Sequence, residues 1–307
     1  MNRANPFLRD VWKYRALLIM CFPAIAFFLF FAYIPMPGMF VAFTNYNYND
    51  GIFKSPFIGL ANFKFLFTSG QLGLLLRNTV LYNLVFIILG NILQMSVAIL
   101  LNEIMSRKFR KISQSMIFLP YFISDVLVGL IVYNLINFDY GFISNIVRGL
   151  GGEMPKIYSS PAAWPFVITL VHIWKSTGYG SVVYFAAIMG IDSEIMEAAK
   201  VDGANGWQRI RHITLPCLKP TFIILLLFAL GGIIRGNFGL FYNLVGLNST
   251  LLGTTDIIET YVYRSMMNNF NFSQSSAVGL FQSVVGFIIV LTVNKIIKTI
   301  EPDYALF

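Results

Sequence analysis

The chain has 307 residues, of which 57% are hydrophobic and only 12% charged, about half the charge density of an ordinary soluble domain. With a mean hydropathy of +0.69, a soluble globule is excluded, because too few charges exist to cover its surface. The formal net charge of +8 would suit a nucleic-acid binder, but the basic residues fall in clusters that flank long apolar runs, which is the layout of a polytopic helical bundle.

A helix crossing a hydrocarbon core of roughly 30 Å needs about 20 apolar residues at about 1.5 Å each. Six segments meet that requirement, so the sequence predicts an all-α membrane protein of six transmembrane helices. The first covers residues 17–34. Met20 precedes Cys21 where a lipoprotein cleavage site would need a small residue, so this run reads as a retained anchor. The second, 78–101, lies in a stretch without charge between Arg77 and Glu103. The third, 115–137, contains Asp125, and the fourth, 163–190, contains Lys175. The fifth begins at Pro220. Only 15 residues separate Lys219 from Arg235, about 22 Å of helix, so this span is expected to run on to about Tyr242, with Arg235 inside the outer part of the membrane. The sixth covers 275–297.

Even parity puts both termini on one side. A cytoplasmic N-terminus leaves 14 of the 22 Lys and Arg residues inside, namely Arg3, Arg9, Lys13, Arg15, Arg107, Lys108, Arg110, Lys111, Lys200, Arg209, Arg211, Lys219, Lys295 and Lys298. The positive-inside rule selects that orientation. The chain then divides into a cytoplasmic N-terminus (1–16), a first span with its outer segment (17–73), a five-helix core (74–298) and a cytoplasmic tail (299–307). The outer segments 36–76, 138–162 and 243–274 are rich in Asn, Tyr, Ser and Gly, a composition that suits a docking surface and ordinary loops alike. Two cysteines and two histidines without ligand spacing give no zinc site. None of the 24 glycines is followed by Lys, so the phosphate-cradling loop ending Gly-Lys-Ser/Thr is absent.

Between the fourth and fifth spans, residues 192–220 read as two short helices with a bend. Asp192 or Ser193 caps the first, and Glu194 complements its dipole. Ala198 and Ala199 are small helix formers that let another surface approach. Gly203 permits a backbone turn. Trp207, Ile210 and Ile213 form an apolar stripe on the second helix, and Pro216 and Pro220 are expected to break it before the fifth span.

The residue order is more specific than this periodicity. Glu197-Ala198-Ala199, then Asp202-Gly203-Ala204, then Ile213-Thr214-Leu215-Pro216 and Pro220 closely resembles the EAA loop of type I ABC importer permeases, the binding-protein-dependent transport family. Ile210 stands where that family often has Phe. Elsewhere, Tyr33-Ile34-Pro35-Met36, Phe57-Ile58-Gly59-Leu60-Ala61-Asn62-Phe63, Thr260-Tyr261-Val262-Tyr263-Arg264 and the run from Ala277 to Gly286 resemble permeases for sugars and polysaccharide fragments.

The resemblance implies a bacterial cytoplasmic-membrane subunit that is not itself an enzyme and holds no cofactor, ATP and magnesium being bound by a separate ATPase. Loop 192–220 would seat in a cleft of the ATPase dimer. There Glu197 would pair with a basic residue, Ala198 and Ala199 would pack closely and Gly203 would set the turn. Asp202, Ala204, Leu215 and Pro216 complete the motif. Further implied partners are a second, different permease chain, an extracytoplasmic binding protein, and an oligosaccharide or glycan fragment as substrate. Rival readings are import of another solute, a secondary transporter, which would need inverted repeats and a coupling-ion site, and an intramembrane enzyme, which would need a positioned nucleophile and base or metal ligands. The sequence supplies neither set.

Charges within spans must face protein or water. Asp125 and Lys175 either pair with each other or face a wet cavity. Sugar recognition needs aromatic faces with amide and hydroxyl partners. Trp174, Tyr179 and Tyr184 on the fourth span, Arg235, Asn237, Phe241 and Tyr242 beyond the fifth, and Asn83, Asn91 and Gln94 on the second are the candidates. For each alone, packing between helices or an interfacial aromatic belt is the ordinary explanation. The set as a whole favours a polar route.

Overall fold

The computed structural model describes residues 12–300. Arg3 and Arg9 of the first basic cluster and residues 301–307 of the expected tail lie outside the described residues. Those described form helices, turns and loops, with one isolated antiparallel bridge, Thr44 to Phe57.

Helix α1 (Arg15–Phe28) contains Pro23, buries no residue and runs into a π turn, Leu29–Tyr33. The chain then folds back through a 3-10 segment, Met36–Phe43. Ala42 and Leu66 of this outer segment join one apolar cluster with Leu72, Ile258, Ala277 and Val278. The Asn62 side-chain amide fastens it, donating to the carbonyls of Ala42 (2.9 Å) and Thr44 (3.0 Å).

Helix α2 (Gln71–Glu103) packs along its length on α5 (Trp164–Met189), the most extensive helix pair of the bundle. Between them, α3 (Arg107–Phe118) and α4 (Asp125–Ile136) meet at a bend of 97°. The third span, expected as a single segment over 115–137, is interrupted here. Pro120 opens a 3-10 turn, Leu119–Phe122, and Ser124 starts a new helix by accepting the Leu127 N–H. Apolar burial gives little drive between helices in lipid, so close approach of small residues matters more. A Cβ on Gly178 of α5 would stand 2.0 Å from the Ile117 carbonyl oxygen of α3, and one on Gly129 of α4 would stand 2.3 Å from that of Asn243.

Helix α6 (Ser193–Val201) leads into α7 (Gly206–Gly231). Here a second expectation fails, because Pro216 and Pro220 both lie inside α7. A π turn, Ile210–Thr214, just precedes Pro216. The Pro216 ring would clash with the carbonyl four residues back, at His212, and the widened turn relieves it. A third correction concerns the length of the fifth span. Helix α7 stops at Gly231, Gly232 caps it, and α8 (Phe238–Val245) starts afresh with Asn237 accepting the Leu240 N–H at 3.0 Å. Arg235 therefore sits in a non-helical segment and not in a continuous span. Helices α9 (Ile258–Met267) and α10 (Phe272–Ile300) complete the fold.

Among the described residues, four helical stretches are long and apolar enough to cross a membrane: Arg15–Phe43, α2, α7 and α10, with α3 and α4 a fifth if the bent pair is one span. Helix α5 has the length, 26 residues, but carries His172 and Lys175 midway. The outer faces of α2 and α10 expose Leu81, Ile88, Ile92, Ile288 and Leu291, the surface that lipid requires.

Candidate functional site

Two features combine exposed or hollow geometry with polar chemistry, the elbow between α6 and α7 and a set of cavities beneath it. In the elbow, Asp192 caps α6 by accepting the Glu194 N–H at 2.9 Å. The helix ends in a Schellman arrangement: the Ala204 N–H reaches the Ala199 carbonyl (2.9 Å), and the Gly203 N–H reaches that of Lys200 (3.1 Å). Gly203 has φ +80°, and a Cβ there would meet nothing within 4 Å. Its requirement is thus conformational and not spatial. A capping box follows at once, Asn205 Oδ1 taking the Gln208 N–H (2.9 Å) and Gln208 Oε1 taking the Asn205 N–H (2.8 Å).

Two standard terminators set back to back define the bend of the elbow from local hydrogen bonds. Its far side is tied to the bundle where Arg209 Nη2 lies 3.9 Å from Glu103 Oε2 at the end of α2. Its near side is bare. Glu197, Ala198, Asp202 and Gly203 are exposed, and Val201 (87%) and Trp207 (68%) present apolar surface to solvent. Trp207 thus departs from the stripe expected with Ile210 and Ile213, which are half-buried. Leu215 is half-buried and Pro216 exposed on α7.

The first cavity, about 370 Å³, lies among α2, α5 and α7 and is lined by Asn83, Gln94, Tyr121, Tyr179 and Leu225. Tyr121, from the α3–α4 break, stacks on Tyr179 with ring centres 4.5 Å apart. Sequence reasoning missed Tyr121, because nothing marks it until the bend brings it over α5. His172, which stacks on Phe86 at 3.7 Å, and Ser176 line both this cavity and a second of about 310 Å³. The second holds Asp125, Lys175 and Asn237. Lys175 Nζ donates to Asp125 Oδ1. Asp125 also opens α4, where its charge complements the helix dipole.

Other candidates have structural tasks. Asn83 donates its amide to the carbonyls of Ile233 (2.8 Å) and Arg235 (2.9 Å), holding the segment that follows α7. Tyr184 donates to Asn91 Oδ1 at 2.7 Å, both buried. Phe241 is only 2% exposed, packed edge-on against Tyr82 in the apolar core, and so is not brought to a cavity. Tyr242 stacks with Phe238 and meets Tyr263. Trp174 is exposed on α5. Arg235 lines a third cavity of about 990 Å³ between α7 and α10.

A helical bundle of this kind, with an exposed elbow leading into its penultimate long helix, has the type I ABC permease fold. The profile of the binding-protein-dependent transport system inner membrane component family matches residues 94–302, and the chain belongs to that family. Protein LplB of Bacillus subtilis (strain 168) is 34% identical over 295 residues, 96% of this chain and 91% of that protein. The polygalacturonan/rhamnogalacturonan transport system permease protein YteP of the same strain is 34% identical over 282 residues, covering 92% and 87%. The crystal structure of a bacterial ABC transporter involved in the import of the acidic polysaccharide alginate contains a similar chain. It has a TM-score of 0.87 and 33% identity, over 97% of this chain and 100% of that one.

Proposed function

We propose that this chain is the membrane-spanning permease subunit of an ATP-driven importer for an oligosaccharide or glycan fragment. The carrying observation is the elbow, a pre-set bend whose exposed Glu197, Ala198, Val201 and Trp207 face away from the bundle. It suits a cleft in a cytoplasmic ATPase dimer, on which it would act as a lever, closure of the dimer reorienting the spans between outward and inward access. The sequence has no nucleotide loop of its own, so ATP and magnesium belong to that partner.

The rest of the reading follows the same chemistry. Six spans with both termini in the cytoplasm of a bacterial cell agree with the basic clusters. A second, different permease chain would complete the route, and an extracytoplasmic binding protein would deliver the solute. A glycan is favoured by the stacked Tyr121–Tyr179 pair beside the amide of Gln94, and by the relatives' names.

Reconstitution of the chain with its second permease, ATPase and binding protein in proteoliposomes tests the reading. The expected result is oligosaccharide uptake that requires ATP and the binding protein. Uptake that persists without the ATPase, driven by an ion gradient, would replace it with a secondary transporter.

A further inference from the structure

Lys175 is paired with Asp125, and Arg264 with Asp256 at 2.5 Å. Arg235 differs from both. Among the described residues its guanidinium has no ion pair and no hydrogen bond, yet it is exposed to the cavity of about 990 Å³ between α7 and α10. That volume lies at the upper end of the roughly 300–1,000 Å³ of ligand sites.

The backbone around Arg235 is held by three helices. Its own N–H bonds the Gly232 carbonyl (2.8 Å), and its carbonyl accepts from Asn83 of α2 (2.9 Å). Gln282 of α10 donates to the Ile234 carbonyl (2.6 Å), and Glu259 of α9 accepts the Gly236 N–H (2.7 Å). Non-helical backbone at membrane depth is tolerated where it lines a cavity, and here the held backbone places the root of the Arg235 side chain at the cavity. Glu259 Oε1 is used by Gly236 and Gln282, whereas its buried Oε2 has no partner and the residue lines the same cavity. Phe228 and Phe287 add exposed aromatic faces.

A guanidinium without a partner matches a carboxylate through two parallel hydrogen bonds. The phenyl rings suit the apolar face of a sugar ring. Resting on the import reading above, we infer that Arg235 recognises a carboxylate and that the imported glycan is an acidic, uronate-containing oligosaccharide.

The test uses the complete reconstituted complex with its binding protein. The probes are a tetragalacturonate and an alginate tetrasaccharide, each beside its methyl-esterified form, which keeps the length and removes the charge. The parent complex is expected to import an acidic probe. Arg235→Gln should raise the half-saturating concentration for the acid about tenfold or more, the scale of a lost charge-assisted hydrogen bond. Arg235→Lys should retain part of the affinity, and any uptake of the ester should not change. Unchanged acid uptake in Arg235→Gln, or equal slowing of acid and ester, overturns the inference. So does loss of assembly by size exclusion, which would make a carboxylate of the second permease the partner of Arg235. If neutral maltotetraose is imported and no acidic probe is, the acidic class falls while oligosaccharide import stands. If no oligosaccharide is imported or stimulates ATP hydrolysis, the underlying reading falls with it.

Discussion

Lys175, midway along α5, donates to Asp125, the first residue of α4, and so ties the bent α3–α4 pair to the longest packing interface of the bundle. Gly239 of α8 makes room for the pair, since a Cβ there would stand 2.3 Å from Asp125 Oδ2. The side chains keep 19% and 27% exposure toward the cavity, so the pair is less costly to break than a fully buried one, for which about 3–5 kcal/mol is typical. Asp125→Asn and Lys175→Met are each expected to destabilise the assembled complex by about 2 kcal/mol, and the double variant by less than their sum. Thermal unfolding of the four proteins in a double-mutant cycle measures this, and strictly additive losses would show that the two charges act independently.

Gly178 is where α5 touches the backbone of α3. A methyl group at that position would lie 2.0 Å from the Ile117 carbonyl oxygen, and backbone cannot move aside as a flexible side chain would. Gly178→Ala is expected to cost about 1–3 kcal/mol through overpacking, read as a lower unfolding temperature of the complex. Gly73→Ala on α2 meets nothing within 4 Å and should leave that temperature unchanged or slightly higher, because Ala is the better helix former. Equal effects at both positions would exclude the close crossing.

Asn83 reaches from α2 to two carbonyls of the segment after α7. Asn83→Ala leaves both without their donor, a loss of about 1–2 kcal/mol localised to that segment. Backbone amides of residues 232–237 should then exchange with deuterium about tenfold faster, with α5 and α10 unaffected. Protection unchanged by the substitution would mean that Gln282 and Glu259 hold the segment alone.

The apolar runs, the scarcity of charge and the elbow motif were legible in the sequence, because membrane crossing and helix termination leave local signatures. Asp192 and Gly203 belong to that class, whereas for Asp125 and Lys175 the sequence left pairing and a wet cavity both open. The interruptions were not legible for the opposite reason. The end of α7 at Gly231 is stabilised by Asn83, Glu259 and Gln282, residues remote in sequence, so the length needed for a crossing carried the expected fifth span on to Tyr242. Pro216 and Pro220 carry a strong local signal for a break, yet a π turn one residue earlier absorbs it. Tyr121 is unremarkable in the sequence and joins Tyr179 only through the 97° bend between α3 and α4. Phe241 shows the converse: its aromatic character suits a sugar, but its register on α8 turns it into the core.

Gly203 separates conformation from packing. Its φ of +80° is a left-handed value, and no atom lies within 4 Å of where a Cβ would stand, so a substitution there strains the elbow and leaves the bundle untouched. A residue with a side chain is disfavoured by about 1–2 kcal/mol in that region, whereas Asn visits it readily. Substrate-stimulated ATP hydrolysis is therefore expected to fall in the order Gly, Asn, Ala, Val at position 203, with the thermal stability of α2, α5 and α10 preserved throughout. Because the Schellman bonds at Ala204 and Gly203 set the angle at which Glu197 and Trp207 are presented, the loss should appear in coupling before assembly: Gly203→Val complexes should co-purify with the ATPase yet respond weakly to loaded binding protein. Full stimulation in Gly203→Val would mean that the bend transmits no motion.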